Sequence, residues 1–265
     1  MAERRGCGGN LSVSVPEESL IRHGLFAPRR KKWVLIAIHG FGRRKQEDFH
    51  YLKEMCEADP GLEYRCFDLY DEDKNEKEWL VWVARANQEV TAYLEKGYEV
   101  TLLGFSMGGV IAAFLASFLA VDKLILVAPA FEYMSLETVS RLIPKYAAIL
   151  KQSESQFKAY MEERLLEYEY FPQFFELVKK LKPAVRKVSC PTLILQGLQD
   201  EFVPLSSSQY AYHQIQSQRK QLVCFEACGH ELLENESCRQ DAYSLIRQFM
   251  DDRWGQVPSV SQGRS

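Results

Sequence analysis

Two patterns of hydrophobic and polar positions alternate along the chain. Short continuous apolar runs, "WVLIAI" (33–38), "EVTLLGF" (99–105), "DKLILVAPA" (122–130) and "PTLILQG" (191–197), read as strands buried on both faces. "LEYRCFDLY" (62–70) and "KQLVCFEA" (220–227) read as further strands. Between them lie stretches with helical spacing: 46–58, 76–97, 107–120, 205–217 and 237–252. In 76–97 the apolar positions Leu80, Val83, Val90, Tyr93 and Leu94 predict the inward face, and Gly97 the stop. Strands that alternate with helices and are apolar on both sides predict an α/β fold: a mostly parallel sheet with helices on both faces.

The rhythm breaks between about Phe131 and Arg186, where the pattern is helical throughout and ends in the aromatic cluster "YEYFPQFFELV" (168–178). This predicts a helical cap inserted at 131–185 into a core made of 10–130 and 186–252. Within the core, "NLSVSV" (10–15) alternates like a half-exposed strand. Residues 1–9 and 255–265 are small, polar and without period, which predicts tails outside the fold.

The apolar runs also predict where chemistry sits, because open parallel sheets place ligands and catalytic groups at the carboxyl ends of their strands. Four such ends carry reactive residue types: His39-Gly40-Phe41-Gly42, Ser106 within Gly104-Phe105-Ser106-Met107-Gly108, Asp200, and Gly229-His230. A serine hydroxyl is a weak nucleophile unless a neighbouring base takes its proton, and His230 is the candidate base. Asp200 is the candidate acid that fixes the imidazole tautomer, with Glu201 and Glu132 as the alternatives. The order Ser, Asp, His along the chain belongs to one of the known triad topologies. Backbone N–H groups of Phe41 and Met107 are the candidate oxyanion donors, each worth on the order of 3 kcal/mol in such a site. His39 is expected to hold the loop of Phe41; His23, His50 and His213 have no assigned partner.

The motifs HGFG, GFSMGG, the D-x-x-x-P of "DEFVP" and "GHELL" resemble the α/β-hydrolase superfamily, and within it small bacterial carboxylesterases and monoacylglycerol lipase-like serine hydrolases. The resemblance covers roughly residues 33–250. It implies the α/β-hydrolase fold, Ser106, Asp200 and His230 as the catalytic triad, Phe41 and Met107 at the oxyanion hole, and 131–185 as the cap lining an acyl pocket. The first strands of that fold are poorly marked between residues 10 and 30. Tyr168, Tyr170, Phe171, Phe174 and Phe175 are the candidate substrate contacts in the cap.

Composition narrows the reading. A net charge of -3 over 265 residues supplies no field for nucleic acid. No run reaches the ~18 apolar residues of a membrane span, and the N-terminal stretch lacks the apolar core of a signal peptide. Seven scattered Cys without CxxC spacing predict free thiols in a reducing cytoplasm and no metal site. The expectation is therefore a cofactor-free esterase for short- to medium-chain aliphatic or aryl esters, with a small-molecule substrate and an oligomeric state the sequence leaves open. A monoacylglycerol lipase, a thioesterase and an aminopeptidase-like amide hydrolase are the alternatives. For the last, Glu162, Glu163, Glu167 and Glu169 are candidate holders of a substrate amine. An inert binding module on the same fold is disfavoured by the presence of all three triad residue types.

Overall fold

The computed structural model describes residues 32–42, 45–59, 61–132 and 170–252. They build a six-stranded sheet of β1 (Trp33–Ile38), β2 (Leu62–Cys66), β3 (Glu99–Phe105), β4 (Lys123–Val127), β5 (Thr192–Gly197) and β6 (Lys220–Phe225). The strand order is β2-β1-β3-β4-β5-β6, and every neighbouring pair is parallel.

Alternate residues of each strand serve opposite faces. Val34, Ile36 and Ile38 of β1 join one core, Leu35 and Ala37 the other, and all five are fully buried. Burial of such a side chain contributes about 2 kcal/mol, so a polar residue on either face of these strands is costly. That is why the strands read as unbroken apolar runs rather than as alternation.

Helices α1 (His50–Glu57) and α6 (Arg239–Met250) cover one face through Leu52, Cys56, Ala242, Ile246, Phe249 and Met250. The other face carries α2 (Trp79–Glu95), α3 (Met107–Ala116), α4 (Phe171–Leu181) and α5 (Leu205–Gln214). The chain runs outward from β1 to β2, then crosses back to β3 and continues the other way. The strand order therefore reverses between the adjacent strands β1 and β3, the position at which open α/β sheets leave a crevice for ligand.

Helix α2 corrects one expectation. Its buried residues are Trp82, Val83, Ala86 and Val90, whereas Leu80 is 61% exposed. At about 100° per residue, Leu80 lies roughly 100° round the helix from the centre of that stripe. Trp82, whose indole N–H donates to the Glu76 carbonyl at 2.8 Å, sets the inward face instead. The expected strand at 62–70 also ends early, at Cys66. The candidate strand at 10–15, both tails and most of the 131–185 segment lie outside the described residues. The described end of that segment is helical, with α4 followed by a 3-10 turn at Lys182–Lys187. Among the described residues no helix is long and apolar enough to cross a membrane, and no group of three or more His, Cys, Asp or Glu is placed to hold a metal ion.

Candidate active site

Ser106 sits between β3 and α3 with φ 52° and ψ -116°, a backbone conformation that costs a non-glycine residue about 1–3 kcal/mol. Three backbone hydrogen bonds hold it there. Its N–H donates to Val127 O at 2.9 Å, and its carbonyl accepts from Gly109 N and Ala130 N, both at 3.0 Å. The turn also demands glycine on either side. A Cβ on Gly104 would lie 2.3 Å from Gly108 O, and one on Gly108 would lie 2.1 Å from Ile38 O. The spacing Gly-x-Ser-x-Gly is thus a packing requirement of the turn.

The loop after β1 runs beside this serine: a Cβ on Gly40 would come within 3.3 Å of the Ser106 Cβ. Met107 opens α3, so its N–H has no acceptor within the helix. His39 is fully buried, and its Nδ1–H donates to Gly40 O at 2.7 Å while its Nε2 accepts from Leu69 N–H at 2.9 Å. Burial pushes its pKa down to about 4 and so keeps the ring neutral, the form these two bonds need. His39 therefore braces the loop, as its position suggests.

Asp200 and His230 come together. The Asp200 side chain is 1% exposed, and its Oδ2 lies 2.8 Å from His230 Nδ1. The second oxygen, Oδ1, accepts the N–H groups of Phe202 at 2.9 Å and Val203 at 2.8 Å. The imidazole packs against the Phe105 ring, the residue before Ser106, with centroids 4.9 Å apart, and edge-on against Phe202 at 5.4 Å. Of the alternative acids, Glu132 is bound to Ser206 Oγ at 2.8 Å and paired with Lys182 at 3.5 Å. Glu201 lies beside Gly229, where a Cβ would come 3.0 Å from its carboxylate.

Two residues that no sequence motif marks, Gln196 and Ser208, steady Asp200. Gln196, fully buried in β5, donates from Nε2 to Asp200 Oδ2 at 3.0 Å, and its Oε1 accepts from Ser208 Oγ at 2.7 Å. The signal was available: Gln196 is a polar break in the otherwise apolar "TLILQG".

Of the candidate substrate contacts, Tyr168 lies outside the described residues. Phe171 and Phe174 pack on Phe41 at centroid distances of 5.2 and 5.1 Å, and Phe175 packs on Phe174 at 5.4 Å. Tyr170 is buried, stacked on Trp82 at 6.2 Å.

The cysteines correct the expectation of free thiols throughout. Cys228 and Cys238 form a disulfide, with Cα atoms 6.4 Å apart. Cys228 follows β6 two residues before His230, and Cys238 caps α6. A separation of ten residues matches no recognised motif, so only the fold brings the two together. Cys56, Cys66, Cys190 and Cys224 are free, and burial pushes the Cys56 and Cys66 thiols up to about 12.

The family described as serine aminopeptidase, S33 matches residues 83–237, more than half of the chain and the span that includes Ser106, Asp200 and His230. A carboxylesterase from Bacillus subtilis (strain 168) is 24% identical over 163 residues, covering 58% of this chain and 66% of its own length, just under two thirds. An esterase from Exiguobacterium antarcticum has a TM-score of 0.63 at 20% identity, with 83% of this chain and 92% of that chain covered. A monoglyceride lipase from Saccharomyces cerevisiae has a TM-score of 0.64 at 15% identity, covering 85% and 88%. With the parallel sheet, the turn at Ser106 and a family match over more than half its length, the chain belongs to the serine aminopeptidase S33 family of the α/β-hydrolase superfamily.

Proposed function

We propose that the protein is a serine hydrolase that cleaves carboxylic esters through an acyl-enzyme. The observation that supports this most is the Asp200–His230 pair at 2.8 Å, with its imidazole on Phe105 next to the strained turn of Ser106. In this reading Ser106 Oγ attacks the ester carbonyl as His230 Nε2 takes its proton, and Asp200 holds the Nδ1–H and stabilises the imidazolium. The N–H groups of Phe41 and Met107 receive the oxyanion. The alcohol departs with the proton from His230, and the same base then activates a water that releases the acid and restores Ser106.

The substrate proposed is a short- to medium-chain aliphatic or aryl ester. Phe41, Phe171, Phe174 and Phe175 offer an aromatic wall beside the oxyanion loop, the kind of lining that holds an apolar acyl group. Hydrolysis of an amide at a peptide N-terminus is the second reading, favoured by the description of the matching family. The acidic cap residues it would use lie outside the described residues. The cytoplasm is the proposed compartment, on the strength of the four free cysteines among the described residues, with the shielded Cys228–Cys238 bond as the exception.

A panel of aryl esters, thioesters, monoacylglycerols and amino-acid anilides tests the reading. Esters are expected to be turned over fastest, Ser106→Ala to lose at least 10³-fold in kcat, a loss in keeping with removal of a triad member, and a fluorophosphonate to label Ser106 alone. Turnover by Ser106→Ala near the parent rate, or a folded parent that takes no label, overturns it.

A further inference from the structure

The loop that carries Phe41 is fixed by more than its histidine. Phe41 has a peptide plane on each side, and each plane is rigid, so holding one polar group of a plane sets the direction of the other. On the near side, His39 Nδ1–H binds Gly40 O, which turns the Phe41 N–H the opposite way. On the far side, Gly42 N–H donates to the Tyr70 hydroxyl at 3.0 Å, and the same hydroxyl donates to Gly42 O at 2.8 Å. Gly42 has φ 139°, a conformation that favours glycine and leaves the chain free to swing without an anchor.

Tyr70 is itself closely packed. It is fully buried, its ring meets Trp82 at 4.8 Å and the edge of His39 at 5.4 Å, and burial pushes its phenol well above the usual range, so it remains a neutral O–H. The Lys45 ammonium, paired with Glu72, lies 5.6 Å from the ring centroid.

We propose that Tyr70 is a positioning residue for the reaction: by binding both the N–H and the C=O of Gly42, its hydroxyl sets the orientation of the loop and so aims the Phe41 N–H at the developing oxyanion. This rests on the reading of Ser106 and Phe41 given above. Tyr70 touches no substrate and acts through the backbone of Gly42.

The test is Tyr70→Phe, which removes one oxygen and keeps the ring. Loss of an entire oxyanion donor costs about 10²–10³ in kcat, so a donor that is loosened but present is expected to cost about 10- to 30-fold, with KM within about twofold. The decisive readout is the ratio of kcat/KM for an ester to that for its thionoester, whose sulfur accepts hydrogen bonds poorly. A ratio does not depend on how much of the variant is folded. It is expected to fall at least fivefold in Tyr70→Phe and to stay at the parent value in Tyr93→Phe, whose hydroxyl binds Glu63 at an exposed position. An unchanged ratio in Tyr70→Phe overturns the proposal, even where its melting temperature falls. If the parent shows no ester turnover and Ser106 takes no fluorophosphonate, the functional reading itself has failed; an active parent with an unchanged ratio in the variant refutes the role of Tyr70 alone.

Discussion

Asp200→Asn tests the acid at the level of single protons. Four donors converge on the carboxylate: Phe202 and Val203 N–H on Oδ1, and Gln196 Nε2 and the ring Nδ1 of His230 on Oδ2. Asparagine replaces one acceptor oxygen with an NH2 group, and its two orientations differ in cost. With nitrogen at the Oδ1 position, two backbone N–H groups lose their acceptor, at about 1–3 kcal/mol each. With nitrogen at the Oδ2 position, Gln196 loses one of its bonds but retains the carbonyls of Gly197 and Val203. The second orientation is therefore the one adopted. It makes the new NH2 donate to His230 Nδ1, which drives the ring proton onto Nε2, the nitrogen that receives the proton of Ser106 in the proposed mechanism.

A base with its accepting nitrogen already protonated is expected to lose about 10⁴-fold in kcat, or about 5 kcal/mol of transition-state stabilisation. The assay is steady-state hydrolysis of a p-nitrophenyl ester near neutral pH, with far-UV circular dichroism to show that the variant is folded. Glu132→Gln serves as the comparison and is expected to stay within a few-fold of the parent, since its carboxylate is engaged by Ser206 and Lys182. A folded Asp200→Asn with kcat within tenfold of the parent would refute the tautomer argument.

Two further outcomes concern stability. His39 titrates near 4 when folded and near 6.5 when unfolded, so its contribution is complete above pH 6.5 and is lost as pH falls towards 4, because only the unfolded chain takes up the proton. The loss is about 3 kcal/mol over that window, measured by urea unfolding at several pH values; a His39→Gln variant whose stability falls as steeply as the parent's counts against this assignment. For the disulfide, reduction or the Cys228→Ser, Cys238→Ser double variant is expected to lower stability by about 2.7 kcal/mol, the loop-closure value for a ten-residue separation. Non-reducing peptide mapping that finds both cysteines alkylated would show that the bond is not formed in the protein as purified.

The sheet was legible because its strands are covered on both sides: Val34 to Ile38 carry no polar residue, so burial and sequence say the same thing. The strand ends were legible for a related reason. Parallel strands deliver their carboxyl ends to one edge of the sheet, so His39, Ser106, Asp200 and His230 are placed together by topology before any contact is known. Leu80 misled because hydrophobicity alone does not choose between two neighbouring stripes of one helix; the bulk of Trp82 does.

What stayed hidden shares a different property. Tyr70 binds Gly42 across 28 residues and Ser208 binds Gln196 across 12, in both cases through a single hydroxyl whose partner is a backbone group or an amide. No periodicity or spacing encodes such a bond, since it depends on where two elements meet and on which way one side chain turns. The same holds for Cys228 and Cys238, brought together by the loop between β6 and α6. Phe41 joins the two kinds of information. Its position after an apolar strand marked its N–H as a candidate donor, while only the fold shows its ring packed against Phe171 and Phe174 of α4. The ring of Phe41 therefore ties α4 to the same residue whose peptide planes His39 and Tyr70 hold.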